Sequence, residues 1–140
     1  MSTARDHLGL LIKRVQHGHH RTLDSRMSVL GLSLVQWNAL REIDRNPRMP
    51  QLQLAERTFN SAQAFGTLVA RLQKSGLVER SAGEGRATVH RLTAKGKRLL
   101  RQGLAVMGEV LDTSFAPLTP ADCTELTRLL TLILEGAGGR

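Results

Sequence analysis

The sequence predicts a mainly α fold with one small β-hairpin. Its 140 residues include no tyrosine and three phenylalanines, and leucine is the commonest aliphatic residue, which favours packed helices over a β-sandwich. Apolar residues recur at intervals of three and four along most of the chain, as they do on one face of a helix. The exception is the stretch 77–92, where two short apolar runs flank the glycine turn AGEGR.

The first two helices are expected before residue 47. One runs from Ala4 to about Met27, and the chain breaks near Gly31. The next begins at Ser33, with Gln36 placed three residues later as in a capping box, and ends at Asn46-Pro47. The apolar faces are Leu8, Leu11, Ile12 and Val15 in the first helix, and Trp37, Leu40, Ile43 and either Leu34 or Val35 in the second.

A helix-turn-helix is expected in the middle of the chain. A short helix from about Gln51 to Thr58 directs Leu54 and Ala55 inward. Ser61 is the N-cap of the following helix, which extends to Ser75 and is ended by Gly76. The buried stripe of this second helix, at helical spacing, is Phe65, Leu68, Val69 and Leu72.

The hairpin and two further helices complete the pattern. The strands are expected at Leu77–Ser81 and Ala87–Leu92, so the hairpin follows the helix-turn-helix as a wing. Thr93 caps a helix over 94–114, and Thr119 caps the last one, with Pro120 in its first turn. The apolar residues expected to be covered are Leu99, Leu100, Leu104, Met107 and Leu111, followed by Leu126, Leu129, Leu130, Leu132, Ile133 and Leu134.

The last helix is apolar over most of its circumference, which predicts that it is largely buried. A homodimer built from the first helix and the last two would cover it. The alternative is a monomer that packs these helices on its own core. We therefore expect one structural domain with an N-terminal dimerisation helix at 1–30, a winged helix-turn-helix lobe at 31–93 and C-terminal dimerisation helices at 94–140.

The positive charge is concentrated in the middle of the chain. Residues 41–101, which we name the basic segment, hold 13 Lys or Arg and 5 Asp or Glu, whereas the rest of the chain holds 7 of each. The entire net charge of +8 therefore lies in this segment. Concentrated positive charge predicts a polyanionic partner, and double-stranded DNA suits a helix-turn-helix. A surface that merely keeps the protein in solution is the alternative.

The helix that begins at Ser61 carries little charge on its outer face, which suits entry into the major groove. Gln63 can pair with adenine, and Thr67 can contact thymine, while small neighbours let the helix backbone approach the bases. Cations at the flanks then contact phosphates, and Arg86 in the wing can reach a minor groove. The residues expected to contact DNA are Ser61, Ala62, Gln63, Gly66, Thr67, Ala70, Arg71, Lys74, Arg80 and Arg86. The alternative is that these side chains are ordinary solvated residues.

Outside the DNA-binding pattern, few side chains indicate a further site. Val15, His17, Trp37 and Met107 are candidates for an effector crevice, although Trp37 also suits a plain core. His17 and His20 have the spacing of a helical metal pair but lack an evident third ligand, so no metal or other cofactor is expected. Catalytic motifs are not found, and the protein is not expected to be an enzyme.

The cellular setting is expected to be the reducing cytoplasm. No apolar run approaches the length of a membrane span, and the N-terminus lacks the shape of a signal peptide. The single Cys123 cannot form an internal disulfide, and the neighbouring Asp122 favours an inert thiol over a redox sensor.

The motifs GLSLVQWNALREI, QLAER, LVARLQKSGLVER and HRLTAKGKRLL resemble the MarR family of winged-helix transcription regulators. The close resemblance covers about Gly31 to Leu100. It implies a homodimer that binds a pseudo-palindromic operator, usually as a repressor, with a small-molecule or redox input. A winged-helix module that binds another protein and has lost DNA binding is the alternative function, because one fold can serve either role.

The sequence departs from the family pattern at four places. Glu84 stands where an aspartate commonly braces the wing arginine, and the wing is shorter by about two residues than the resemblance implies. Thr67 stands where many members have an arginine. Thr58-Phe59-Asn60 replaces a turn that is usually leucine, glycine and an aliphatic residue, and Phe59 is expected to fill the junction between the two helices.

Overall fold

The protein is described from a computed structural model that covers residues 3–82 and 88–137. Six helices and one two-stranded antiparallel sheet confirm the mainly α fold with a hairpin. The elements are α1 (Thr3–Met27), a 3-10 turn (Ser28–Leu30), α2 (Leu34–Arg45), α3 (Gln51–Arg57), α4 (Ala62–Lys74), β1 (Val78–Ala82), β2 (Thr88–Leu92), α5 (Ala94–Phe115) and α6 (Pro120–Gly136). The strands pair with Arg80 opposite His90. The predicted turn AGEGR lies at 82–86, mostly outside the described residues.

Side chains at the N-caps start the helices where the sequence predicts. The Ser33 hydroxyl accepts a hydrogen bond from the Gln36 amide at 3.1 Å, and the Gln36 side chain accepts one from the Ser33 amide at 2.9 Å. Thr119 and Asp122 form the same reciprocal box at the start of α6. Each cap satisfies backbone N–H groups that have no partner within the helix.

The core lies between the C-terminal end of α1, the helices α2, α3, α4 and α5, and the hairpin. Leu34, not Val35, turns inward at the start of α2, because Val35 remains 41% exposed. The stripe predicted for α4 is confirmed for Phe65, Val69 and Leu72. The largest fully buried side chains are Trp37, Phe65, Met27, Leu40, Ile43, Leu54, Leu72, His90 and Val69.

The buried line of α5 differs from the prediction. Leu100 is buried, but Leu104 is 47% exposed and Leu99, Met107 and Leu111 are only partly covered. The line instead runs through two glycines and Val110. Gly96 lies against the Leu77 carbonyl, and Gly103 lies against the Trp37 indole. The spacing of apolar residues does not predict this line. Each glycine is buried because its missing side chain leaves space for a residue of another element.

The outer helices leave apolar residues uncovered in the single chain. α1 packs along α5, where Arg26 pairs with Glu109 and the His19 ring is 2.7 Å from the Ser114 hydroxyl. Its predicted apolar residues Leu8, Leu11, Ile12 and Val15 are 42–53% exposed, and α6 has no buried residue. Within the described ranges no helix has the length and apolarity needed to cross a membrane.

The contact between Trp37 and Gly103 gives a direct test of this packing. Alanine at position 103 would place its Cβ inside the Trp37 ring, so we expect Gly103→Ala to lower the free energy of unfolding by about 1–3 kcal/mol. This loss would exceed the gain of about 0.5–1 kcal/mol that alanine normally brings to a helix. Denaturant unfolding at one fixed protein concentration measures the change.

The neighbouring Gln102→Ala is the matched control, because Gln102 is exposed on the same helix and its loss should change stability by less than about 0.5 kcal/mol. A Gly103→Ala protein as stable as the wild type would contradict this account of how α2 and α5 meet.

Candidate nucleic-acid interface

The outer face of α4 is held toward solvent by the burial of its inner face. The Ser61 hydroxyl accepts the Ala64 amide at 3.1 Å, which fixes the first turn. Phe65, Val69 and Leu72 are then buried, whereas Leu68 is only partly covered. Because these residues cover one side of the helix, residues on the other side must face outward.

The structure brings most of the predicted DNA-contacting residues onto exposed surface. Eight of them are exposed: Ser61, Ala62, Gln63, Thr67, Ala70, Arg71, Lys74 and Arg80. Arg86 lies outside the described residues, so the wing contact stays a prediction. The Thr67 hydroxyl donates to the Gln63 carbonyl at 3.2 Å, which commits its proton to the helix and leaves its oxygen lone pairs and methyl group available.

Some cations of the lobe are paired with carboxylates, whereas those beside this face are not. Arg57 contacts Glu42, and Arg91 contacts Glu79. Within residues 3–82 and 88–137, by contrast, Arg71, Lys74 and Arg80 form no ion pair with a carboxylate. Exposed cations without an acidic neighbour can contact phosphate groups without first breaking a protein contact.

Gly66 has a different environment from the other predicted contacts. It is only partly exposed, and a Cβ on it would lie 3.2 Å from the Gln51 side-chain nitrogen. The sequence suggested that a small residue here lets the backbone approach DNA. The structure gives another physical reason for glycine, because the lack of a side chain lets α3 pack against α4.

The Gln51 side chain that meets Gly66 is also held by a buried histidine. His90 on β2 is 1% exposed, and its Nε2 lies 2.9 Å from the Gln51 Oε1. A carbonyl oxygen accepts, so Nε2 carries the proton. Nδ1 has no hydrogen-bond partner among the residues that the structure describes. His90, Gln51 and Gly66 thus form a continuous contact from the hairpin through α3 to α4.

The environment of His90 favours its neutral form. Burial lowers the pKa of the imidazole below its ordinary value, and the positive charge of Arg80 lowers it further. The sequence motifs predicted no role for His90 or for Gln51. The inward position of His90 follows from the alternation of β2, in which His90 and Leu92 are buried and Arg91 is exposed.

Two surface grooves could accept a small molecule. The α2–α4 groove has a volume of about 550 Å³ and includes Gln63, Thr67 and Arg71 in its lining. The α1–α5 groove has a volume of about 690 Å³ and includes Val15 and His19. Of the four predicted effector residues, Val15 lines one of these two grooves and the other three line neither. Trp37 is fully buried, with its indole N–H donating to the Leu100 carbonyl at 3.3 Å, Met107 is partly buried against the core, and His17 is exposed.

The remaining candidate residues are placed as follows. Phe59 does not fill the helix-turn-helix junction, as the sequence suggested, because its side chain is 97% exposed. Cys123 is partly buried in the first turn of α6. In the described part of the chain, no three His, Cys, Asp or Glu side chains are grouped closely enough to hold a metal ion.

Comparison with known proteins identifies relatives that match most of the chain. The MarR family model matches residues 30–87. The HTH-type transcriptional repressor Rv2887 of Mycobacterium tuberculosis is 30% identical over 125 residues, which are 88% of this chain and 90% of the relative. The crystal structure of that MarR-family protein in complex with DNA has a TM-score of 0.75 at 27% identity, covering 90% of this chain and 96% of that chain. Its complex with salicylic acid has a TM-score of 0.74 at 30% identity, covering 90% and 95%.

The buried His90 predicts a stability that falls in acid. Its folded-state pKa is lower than that of the unfolded chain, which is about 6.5. The neutral form stabilises the fold fully above about pH 6.5, and this contribution is lost as the pH falls toward the folded-state pKa. We expect thermal or denaturant unfolding between pH 7.5 and 5.5 to show this loss, and His90→Gln to flatten the profile over that range.

His17→Gln removes an exposed histidine and serves as the control for the loss of one imidazole. If His90→Gln keeps the wild-type slope below pH 6.5, the acid sensitivity does not come from the contact between His90 and Gln51.

Proposed function

Because the chain belongs to the MarR family of transcriptional regulators, we propose that it is a sequence-specific repressor that binds double-stranded DNA and is released from its operator by a small-molecule effector. The observation that carries this proposal is the exposed outer face of α4, beside cations that form no ion pair with any carboxylate in the described part of the chain. The DNA-bound structure of the mycobacterial relative supports it, since that protein shares the fold over 90% of this chain.

In this proposal α4 enters the major groove. Gln63 can form two hydrogen bonds to an adenine edge, and the Thr67 methyl group can contact a thymine. Arg71, Lys74 and Arg80 contact phosphates, and Arg86 reaches the minor groove or its phosphates. Phosphate contacts set the position of the protein on the duplex, while the two α4 side chains supply the sequence preference.

The operator-binding unit is a homodimer. Exposed apolar residues repeat along both α1 and α6, and a second copy would cover both helices. Two-fold symmetry would then present two α4 helices to one face of the duplex, about 34–36 Å apart for successive major grooves. A pseudo-palindromic operator follows from this symmetry.

The effector is a small aromatic acid, by analogy with the salicylic acid bound by the mycobacterial relative. The α2–α4 groove suits such a molecule because Arg71 can pair with a carboxylate while Val35 and Leu68 contact a ring. An occupant there would cover Gln63 and Thr67. It would therefore compete with DNA for the same surface. The protein acts in the cytoplasm, where its DNA lies, and regulates transcription without catalysing a reaction.

Salt-dependent binding to genomic DNA tests the function. We expect the wild-type dimer to shift selected genomic fragments at nanomolar concentration, and the affinity to fall roughly 10³-fold or more between 50 and 200 mM salt because several phosphates are neutralised. Arg71→Ala should reduce the magnitude of the slope of log affinity against log salt concentration by about one per protomer. Fluorescence anisotropy at a series of salt concentrations measures both quantities.

Lys13→Ala removes one exposed cation from α1 and should retain the wild-type salt slope. Failure of the wild type to bind any genomic fragment, together with capture of one acidic protein, would instead favour a protein-interaction module.

The role of Gln63 is tested by sequence preference, not by overall affinity. Gln63→Ala should reduce discrimination at one base pair of each half-site by about 1–3 kcal/mol, because two hydrogen bonds to the base are lost. Affinity for random DNA should change little. Selection and sequencing of bound duplexes, followed by competition with single-base operator variants, measures the difference.

Gln102→Ala is again the control, since Gln102 is an exposed glutamine on α5, outside the lobe. An unchanged preference in Gln63→Ala would show that a different part of α4 contacts the bases.

A further inference from the structure

Three helical segments end in the same backbone motif. In each, one residue has a positive φ angle and donates its N–H to a carbonyl three residues back, and the next residue donates five residues back, as in a Schellman cap. The positive-φ residues are Gly31 (φ 78°), Phe59 (φ 61°) and Gly76 (φ 74°). Two of the three ends therefore use glycine, while the end of α3 uses phenylalanine.

Phenylalanine is a poor choice for this conformation. A side chain on a residue with positive φ crowds the backbone, a strain that glycine avoids. At α3 the conformation is fixed, because the Phe59 amide bonds to the Glu56 carbonyl at 3.1 Å and the Asn60 amide bonds to the Ala55 carbonyl at 2.9 Å. The ring gains no burial in return, since it is 97% exposed. Folding of this chain thus does not account for the aromatic residue.

The position of Phe59 relates it to the proposed DNA surface. It lies two residues before Ser61, the N-cap of α4, and the N-terminal end of a recognition helix is the part that contacts base edges. Asn60 and Ser61, which follow it directly, line the α2–α4 groove together with Gln63 and Thr67. The Asn60 side-chain Nδ2 donates to the Thr58 carbonyl at 3.1 Å and to the Thr58 hydroxyl at 2.9 Å, which adds side-chain hydrogen bonds to the turn.

We propose that Phe59 is a DNA-contacting residue whose ring packs on the C5-methyl group of a thymine at the edge of each half-site. Contact between an apolar side chain and a thymine methyl group is an established mode of base recognition in the major groove. The hydrogen bonds of the turn fix the backbone from which the ring projects, so little backbone entropy is lost on binding. This inference rests on the proposed DNA-binding function and adds a specificity residue to it.

The proposal predicts opposite effects of one substitution on stability and on binding. Phe59→Gly should raise the melting temperature by roughly 2–5 °C, because glycine relieves the strain and no buried surface is lost. The same variant should bind the operator about tenfold more weakly, with an unchanged salt slope because no charge is removed. The probe is the tightest duplex selected from random-sequence DNA with the wild-type protein.

A modified operator locates the contact. Replacing single thymines by deoxyuridine removes only the methyl group. Wild-type protein should lose affinity at one such position per half-site, and Phe59→Gly should lose none further there. Phe59→Asn, which tolerates the same backbone conformation, should behave like Phe59→Gly and provides a second variant. Val29→Ala shortens another exposed apolar side chain, 84% exposed in the 3-10 turn, and should bind like the wild type.

The outcomes separate this inference from the function on which it rests. Weaker binding by the glycine variant, coupled to one thymine methyl group, supports the contact. If the wild type binds a selected duplex and Phe59→Gly binds it equally well, or if no methyl group is coupled to residue 59, the contact is refuted while the DNA-binding function stands. A wild type that selects no duplex refutes both.

Discussion

The contact between the Trp37 indole and Gly103 joins the DNA-binding lobe to the helices that carry the uncovered leucines. Trp37 is the largest fully buried side chain, and Gly103 provides the space that its ring occupies. The indole N–H also donates to the Leu100 carbonyl, so the orientation of the indole ring relative to α5 is fixed. The Arg41 guanidinium also lies over the Trp37 ring, 5.0 Å from the ring centroid. The orientation of α2, and with it the lobe, is therefore tied to α5.

Within the lobe, further packing contacts fix the orientation of α4. α4 buries three large apolar side chains, which fixes its rotation about its own axis. Gln51 then fixes how closely α3 approaches, because it fits against Gly66 and is held by His90 on the hairpin. A buried polar contact of this kind is specific, since each group has few alternative partners. In the proposed function the direction in which Gln63 and Thr67 point thus depends on groups that do not touch DNA.

The local features of this structure could be predicted from sequence, whereas contacts between distant segments could not. Ser33, Ser61, Thr93 and Thr119 act as N-caps because each bond lies within four residues of the cap. The line of α5 through Gly96 and Gly103 was missed, because what a glycine admits depends on another element. The same applies to Gln51, 39 residues from His90. The predicted DNA-facing residues rest on helical periodicity, and for that reason most of them are exposed as expected.

The exposed apolar residues of α1 and α6 call for a different partner from the exposed Phe59. Those of α1 and α6 repeat along whole helices, a pattern that suits a second helical surface of the same kind. Phe59 is a single ring at the end of α3, flanked in the sequence by Thr58 and Asn60, and one ring cannot cover a helical surface of another chain. A single rigid ring beside a polar helix face suits a ligand that offers small apolar groups among many polar ones. The major groove of DNA has this character, since thymine methyl groups are scattered among hydrogen-bonding base edges.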